Sequence, residues 1–103
     1  MEKESNFYLY PKDINKHIDD IKRLTLDTIV EKEIRLYGTI KIISLAYPYY
    51  FITAIPEYNF NRDFFTSGLT ILGNGSTVSF IVRKKNNQYF ADNIFLAVKQ
   101  RNT

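Results

Sequence analysis

Tyr49 and Phe51 stand two residues apart in Tyr49-Tyr50-Phe51-Ile52. On a β-strand, side chains at i and i+2 point to the same face. In a barrel wall one face is interior, and the pair that includes aliphatic Ile52 is the better interior pair. Tyr50 and Ile52 are therefore expected inside, and Tyr49 and Phe51 outside. Rings grouped on a surface mark an interaction site. Nucleobases stack on such rings for about 1–3 kcal/mol per base, irrespective of sequence. Phe65 is a third candidate ring for this surface. Lys41, Arg62, Arg83, Lys84 and Lys85 are the cations available for phosphates, and Tyr89 flanks the last of them. So few charges imply salt-sensitive binding of modest strength. The competing reading leaves Arg83-Lys84-Lys85 as a solvated hairpin and lays the N-terminal segment, with Phe7 and Tyr8, over Tyr49, Phe51 and Phe65. Phe64, Phe80 and Phe95 are expected in the core.

Other chemistries find little support in the residue types. There is no cysteine and one histidine, which argues against thiolate sites and against histidine-built metal or catalytic centres. His17 has polar helix neighbours and reads as a surface residue. Asp19-Asp20 and Glu31-x-Glu33 read as helix-surface charges. Gly73-x-Gly75 reads as a turn, because it lacks the third glycine and the strand-to-helix context of a dinucleotide loop. No catalytic residue, metal ligand or cofactor is expected, and the protein is read as a non-enzyme.

The elements that would position these residues follow from composition and period. The 103 residues make one domain, or one with an appendage. Hydrophobic residues are 45% of the chain and aromatics 16%, enough for a packed core, and the net charge is +3. Residues 1–36 carry seven Lys/Arg and eight Asp/Glu, a net of −1, whereas residues 37–103 carry seven and three, a net of +4. Thirteen of the 16 aromatics lie in the second part. Such asymmetry points to nucleic acid. No apolar run approaches the roughly 20 residues of a membrane span, and no apolar stretch follows the charged Met1-Glu2-Lys3-Glu4. A cytoplasmic protein without a membrane partner is the expectation.

Asn6–Pro11 reads as a lead-in. Ile14, Ile18, Ile21 and then Thr25 or Leu24 recur at helical spacing and predict a helix from about Lys12 to Leu24. Its apolar stripe suits docking on its own barrel, or against a second copy or a protein partner. Thr25–Leu36 fits a continuing or second helix, or a strand. The period then changes to two. Strands are expected at Leu36–Leu45, Tyr49–Ala54, Asp63–Thr66, Thr77–Lys84 and Tyr89–Val98, separated by turn signals such as Gly73-Asn74-Gly75 and Lys85-Asn86-Asn87-Gln88. Five short strands in this span predict a mainly β fold: a small closed barrel over 37–98, preceded by a helical extension, 1–36, and followed by a tail, 99–103.

The order of features resembles the cold-shock domain, an OB-type five-stranded barrel that binds single-stranded RNA and DNA. The matching stretches are Gly38-Thr39-Ile40-Lys41, Tyr49-Tyr50-Phe51-Ile52, Asp63-Phe64-Phe65, Ser67-Gly68-Leu69, Gly75 with Val78-Ser79-Phe80-Ile81-Val82, and Ala91-Asp92-Asn93-Ile94. The resemblance implies that Tyr49, Phe51 and Phe65, or Phe64 if the loop before it is shorter or longer, form a base-stacking platform beside Lys41. The sequence departs from the family where its first-strand tryptophan falls at Ile42, its second-strand glycine at Tyr50, its third-strand histidine near Thr66, and its lysine-glycine lead-in at Tyr47-Pro48.

Two functions follow as expectations. The first is a single-stranded RNA- or DNA-binding protein similar to cold-shock proteins, an RNA chaperone or regulator of gene expression. The alternative is an OB-fold protein-interaction module with a repurposed groove.

Overall fold

A computed structural model describes residues 7–42, 49–67 and 72–99, with the backbone alone described for Tyr49 and Ser67. Six strands and two helices follow one another as β1 (Phe7–Leu9), α1 (Ile14–Lys22), α2 (Leu26–Glu31), β2 (Leu36–Ile42), β3 (Tyr49–Ala54), β4 (Asp63–Ser67), β5 (Thr77–Lys85) and β6 (Gln88–Val98), with a 3-10 turn at Pro56–Tyr58. Strands β2 to β6 close a barrel in the order β2–β3–β4–β6–β5 and back to β2. All neighbours are antiparallel except β4 and β6, which meet in parallel at Phe65 and Phe90. This is the OB-type barrel with a helical extension expected from the alternation of apolar residues.

The wall alternates as the sequence requires. Leu36 and Ile40 on β2, Tyr50, Ile52 and Ala54 on β3, Phe64 on β4, Val78, Phe80 and Val82 on β5, and Ala91 on β6 form one buried cluster. Tyr50, at the position where a cold-shock domain has glycine, is an interior residue, 7% exposed. Gly38 on β2 stands opposite Ala54 on β3, with no room for a side chain. A Cβ there would stand 2.4 Å from the Thr53 carbonyl oxygen and 2.9 Å from the Ala54 Cα. Asn86 and Asn87 both take positive φ, 52° and 62°, making a two-residue turn of primed type that joins β5 to β6. In the Gly73-Asn74-Gly75 turn, the Asn74 side-chain oxygen accepts from the Ile42 N–H at 2.9 Å, and Gly75 has φ 91°.

The extension is part of the same core. Asp13 caps α1 by accepting from the Lys16 N–H at 3.1 Å, and Thr25 caps α2 by accepting from the Thr28 N–H at 3.1 Å. The helix expected over Lys12–Leu24 is thus α1, shorter at both ends. Thr25–Leu36 resolves into a second helix and the first residue of β2. Ile21 and Ile29 are buried in the barrel's cluster, with Ile18 and Val30 packed against it. The apolar stripe of α1 is therefore used within the chain. The lead-in contributes a strand as well: β1 runs parallel to β6, Phe7 opposite Leu96 and Leu9 opposite Val98.

Three expectations change. Phe95 is outside the barrel core and packs on Tyr8 of β1, ring centroids 5.5 Å apart. The cause is a bulge on β6. Ser79 faces Phe95 while Ile81 faces Asp92, so Asn93 and Ile94 together oppose Phe80, and Asn93 takes φ 53°. His17 is not a surface residue but lies between the rings of Tyr37 and Tyr58. The described part of the extension, residues 7–36, lies elsewhere than over Phe51 and Phe65: β1 borders β6, α1 packs on the 3-10 turn, α2 on β5, and Phe65 remains 42% exposed. The segment Ile43–Pro48, with the lead-in Tyr47-Pro48, and residues 100–103 of the expected tail lie outside the described residues. No described helix is long and apolar enough to cross a membrane.

Candidate functional site

Strand register builds one continuous row across the outer wall. Lys41 on β2 stands opposite Phe51 on β3, Phe51 opposite Phe65 on β4, and Phe65 beside Phe90 on β6. Phe51 and Phe65 each stand between two buried residues, and Lys41 and Phe90 each beside one, Ile40 and Ala91, so all four point outward. The Phe51 and Phe65 rings meet edge to face, centroids 5.2 Å apart and planes at 63°. Such pairs favour this tilt because the positive ring edge meets the negative face of its neighbour. Tyr49 pairs through its backbone with Ser67, two residues along the same strand; its side chain lies outside the described residues.

A cleft of about 330 Å³ opens beside Phe65, between β4 and the β5–β6 hairpin. Phe65, Tyr89 and Phe90 supply its rings, and Lys85, Asn86 and Gln88 its polar groups. That combination of apolar walls and few polar groups is typical of small-ligand sites. Phe90, Asn86 and Gln88 were not among the residues singled out in the sequence. Phe90 had a signal: Ala91 is the small interior residue, so its neighbour must face out.

The cations divide into two groups. Lys41 and Lys85 are exposed and make no ion pair among the described residues. Arg83 pairs with Asp92 at 2.6 Å and Glu33 at 3.3 Å, and Lys84 with Asp27 at 3.3 Å. Asp27 also accepts from the Tyr89 hydroxyl at 2.5 Å. The Tyr89 hydrogen bond, then that of Lys84, holds the Asp27 carboxyl below the usual carboxylate range. Arg62 lies over the Tyr89 ring at 4.9 Å and Lys84 at 5.2 Å. Tyr89 and Lys84 are thus committed to fastening α2 to the hairpin, and Arg83 to fastening Glu33 there, which the sequence did not reveal because the acids lie about 50 residues away.

A second polar centre lies under the extension. The Tyr58 hydroxyl accepts from the Tyr37 N–H at 3.1 Å and shares a hydrogen bond with His17 Nε2 at 2.7 Å. Burial pushes the His17 imidazolium pKa down, against a smaller upward effect of Asp20, and pushes the Tyr58 phenol strongly up. Arg35 donates to Ser79 Oγ at 2.9 Å and to the carbonyl and side-chain oxygens of Asn93, its guanidinium 4.0 Å from the Tyr8 ring centroid. Both groups are structural: their donors and acceptors are taken up by the chain. No group of three or more His, Cys, Asp or Glu able to hold a metal occurs among the described residues. Compared with protein-family models, with curated proteins and with solved structures, the chain matches none.

Proposed function

We propose that this chain is a non-catalytic, cytoplasmic single-strand nucleic-acid-binding protein, similar in its use of the barrel to cold-shock proteins. The observation that carries the reading is the outward row Lys41–Phe51–Phe65–Phe90, with Phe65 42% exposed at the mouth of a cleft. Bases stack on Phe51 and Phe65; a further base enters the cleft, where Asn86 and Gln88 offer both donors and acceptors. Lys41 and Lys85 meet phosphates, while Arg83 and Lys84 serve the fold. With Lys41, Arg62 and Lys85 the members of the five that stay outside the ion pairs among the described residues, the affinity is modest and falls steeply with salt.

The test is titration of labelled oligothymidine and oligouridine at low salt with wild type and Phe51→Ala/Phe65→Ala. Loss of about 1–3 kcal/mol per ring is expected, roughly 5- to 150-fold each. Equal binding by the double variant would sink the reading, as would no binding by the folded wild type.

A second reading, the protein-interaction module, is favoured by Leu9, Leu96 and Val98, which are 48%, 36% and 38% exposed along β1 and β6. Sedimentation tests it: a dimer that Leu9→Lys dissociates supports it, and a monomer at every concentration counts against self-association.

A further inference from the structure

One step along the strands from the ring row stands a second outward row. Thr39 is paired to Thr53 on one side and to Thr77 on the other. The two rows are roughly 7 Å apart, two residues of strand rise. The threonines line a groove of about 410 Å³, together with Tyr10 of the extension and two lysines, Lys41 and Lys99.

Three observations point to an anionic ligand. No carboxylate lines the groove, and neither lysine forms an ion pair among the described residues. The Thr53 hydroxyl oxygen is buried and has no hydrogen-bond partner among the described residues, an arrangement that costs free energy unless a ligand or solvent satisfies it. Lys99 Nζ lies 5.9 Å from the Tyr10 ring centroid, which favours its ammonium at that edge of the groove. Hydroxyls that donate and ammonium groups that attract make a set suited to phosphate oxygens.

Lys41 belongs to both features, since it lines the groove and stands opposite Phe51. We infer that the threonine groove carries the phosphodiester backbone of the single strand whose bases stack on Phe51 and Phe65, extending the site from the rings to Lys99. The inference rests on the reading of those rings as a base platform. Asp63 stands opposite Thr53 at the end of the row, and Glu57 follows the lining Pro56. Both repel phosphate and leave the lysine side of the groove for the backbone.

The experiment compares wild type, Lys99→Gln, Thr39→Val and Phe51→Ala/Phe65→Ala. Lys99 is exposed and Thr39 lies on the outer wall, where valine keeps the β-branched shape. Oligothymidines of about 4 and about 12 nucleotides, within the span of site sizes for one such barrel, are titrated between about 50 and 200 mM salt. The short strand is expected to bind Lys99→Gln and Thr39→Val like wild type. The long strand is expected to bind both several-fold more weakly, with a salt slope shallower by about 0.7 for Lys99→Gln. If Lys99→Gln and Thr39→Val leave the long strand unchanged in affinity and slope, while the ring variant loses both lengths, the groove is overturned and the platform stands. If the ring variant binds like wild type, or folded wild type binds neither strand, the platform reading fails and the groove inference falls with it.

Discussion

Tyr58 is 2% exposed and its hydroxyl serves two partners, the Tyr37 N–H and the His17 ring. Tyr58→Phe leaves both without that oxygen. An expected loss of about 1–3 kcal/mol follows for the orphaned buried N–H, measured by urea denaturation. His17 gives a pH dependence whose sign can be worked out. Its ordinary pKa is 6.5 and burial lowers it in the folded state, so the unfolded chain binds the proton more readily. The associated stability is complete above about pH 6.5 and is lost as pH falls through the folded value. Wild type is expected to lose stability as pH falls below about 6.5, and His17→Gln to lose less; parallel profiles for the two would refute the assignment. The sequence hid this residue because its neighbours Lys16, Asp19 and Asp20 are polar, while its partner is 41 positions distant. Tyr50 and Phe51, in contrast, were placed correctly by alternation alone, since a single aliphatic neighbour, Ile52, decides which ring is inside.

The elements differ in how far local sequence dictates them. The β3 strand occupies Tyr49–Ala54 as the period of two predicts, and the Asn86-Asn87 turn has the residue types that tolerate positive φ. β1 could not be read this way: three residues have no measurable period, and its pairing is parallel to a strand at the other end of the chain. The β6 bulge misled the reading of Phe95, because one extra residue at Asn93 reverses the alternation beyond it. Among the turns and close approaches, Gly38 is the most demanding. With backbone atoms 2.4 and 2.9 Å from an added methyl, Gly38→Ala must push β2 from β3. It should cost about 1–3 kcal/mol and broaden the amide signals of Thr53 and Ala54; a variant as stable as wild type would show that the strands can part freely. The caps are weaker: Thr25→Ala should cost about 0.5–2 kcal/mol in thermal or denaturant unfolding.

At the scale of the molecule, extension and barrel share one core. Ile21 and Ile29, 3% and 0% exposed, lie in the cluster that fills the barrel. Ile29→Ala is expected to destabilise by about 2–5 kcal/mol. A fragment of residues 36–103 should lack a cooperative transition and dispersed amide signals; a fragment that unfolds cooperatively would show the helices to be an accessory. The division after Leu36 seen in charge and aromatics is real in composition but does not mark a boundary in packing. Lys41, Phe51 and Phe65 of the row were legible because β2, β3 and β4 obey simple alternation. The cleft and groove were not, because they depend on which strands become neighbours after closure. Likewise, the ion pairs of Arg83 and Lys84 depend on α2 settling on β5.

β6 touches β5, β4 and β1 at once, and the Tyr10 N–H donates to the Val98 carbonyl at 2.7 Å. On a ribosome this strand is made after all the others. At about 5–20 residues per second, the roughly 89 residues from Leu9 to Val98 take about 4–18 s to appear. Through that interval β1 has no strand to lie against, and the wall between β4 and β5 is open. Until β6 is present the interior Ile and Phe side chains have an open wall beside them, so closure of the core waits on β6, not on the helices that come first.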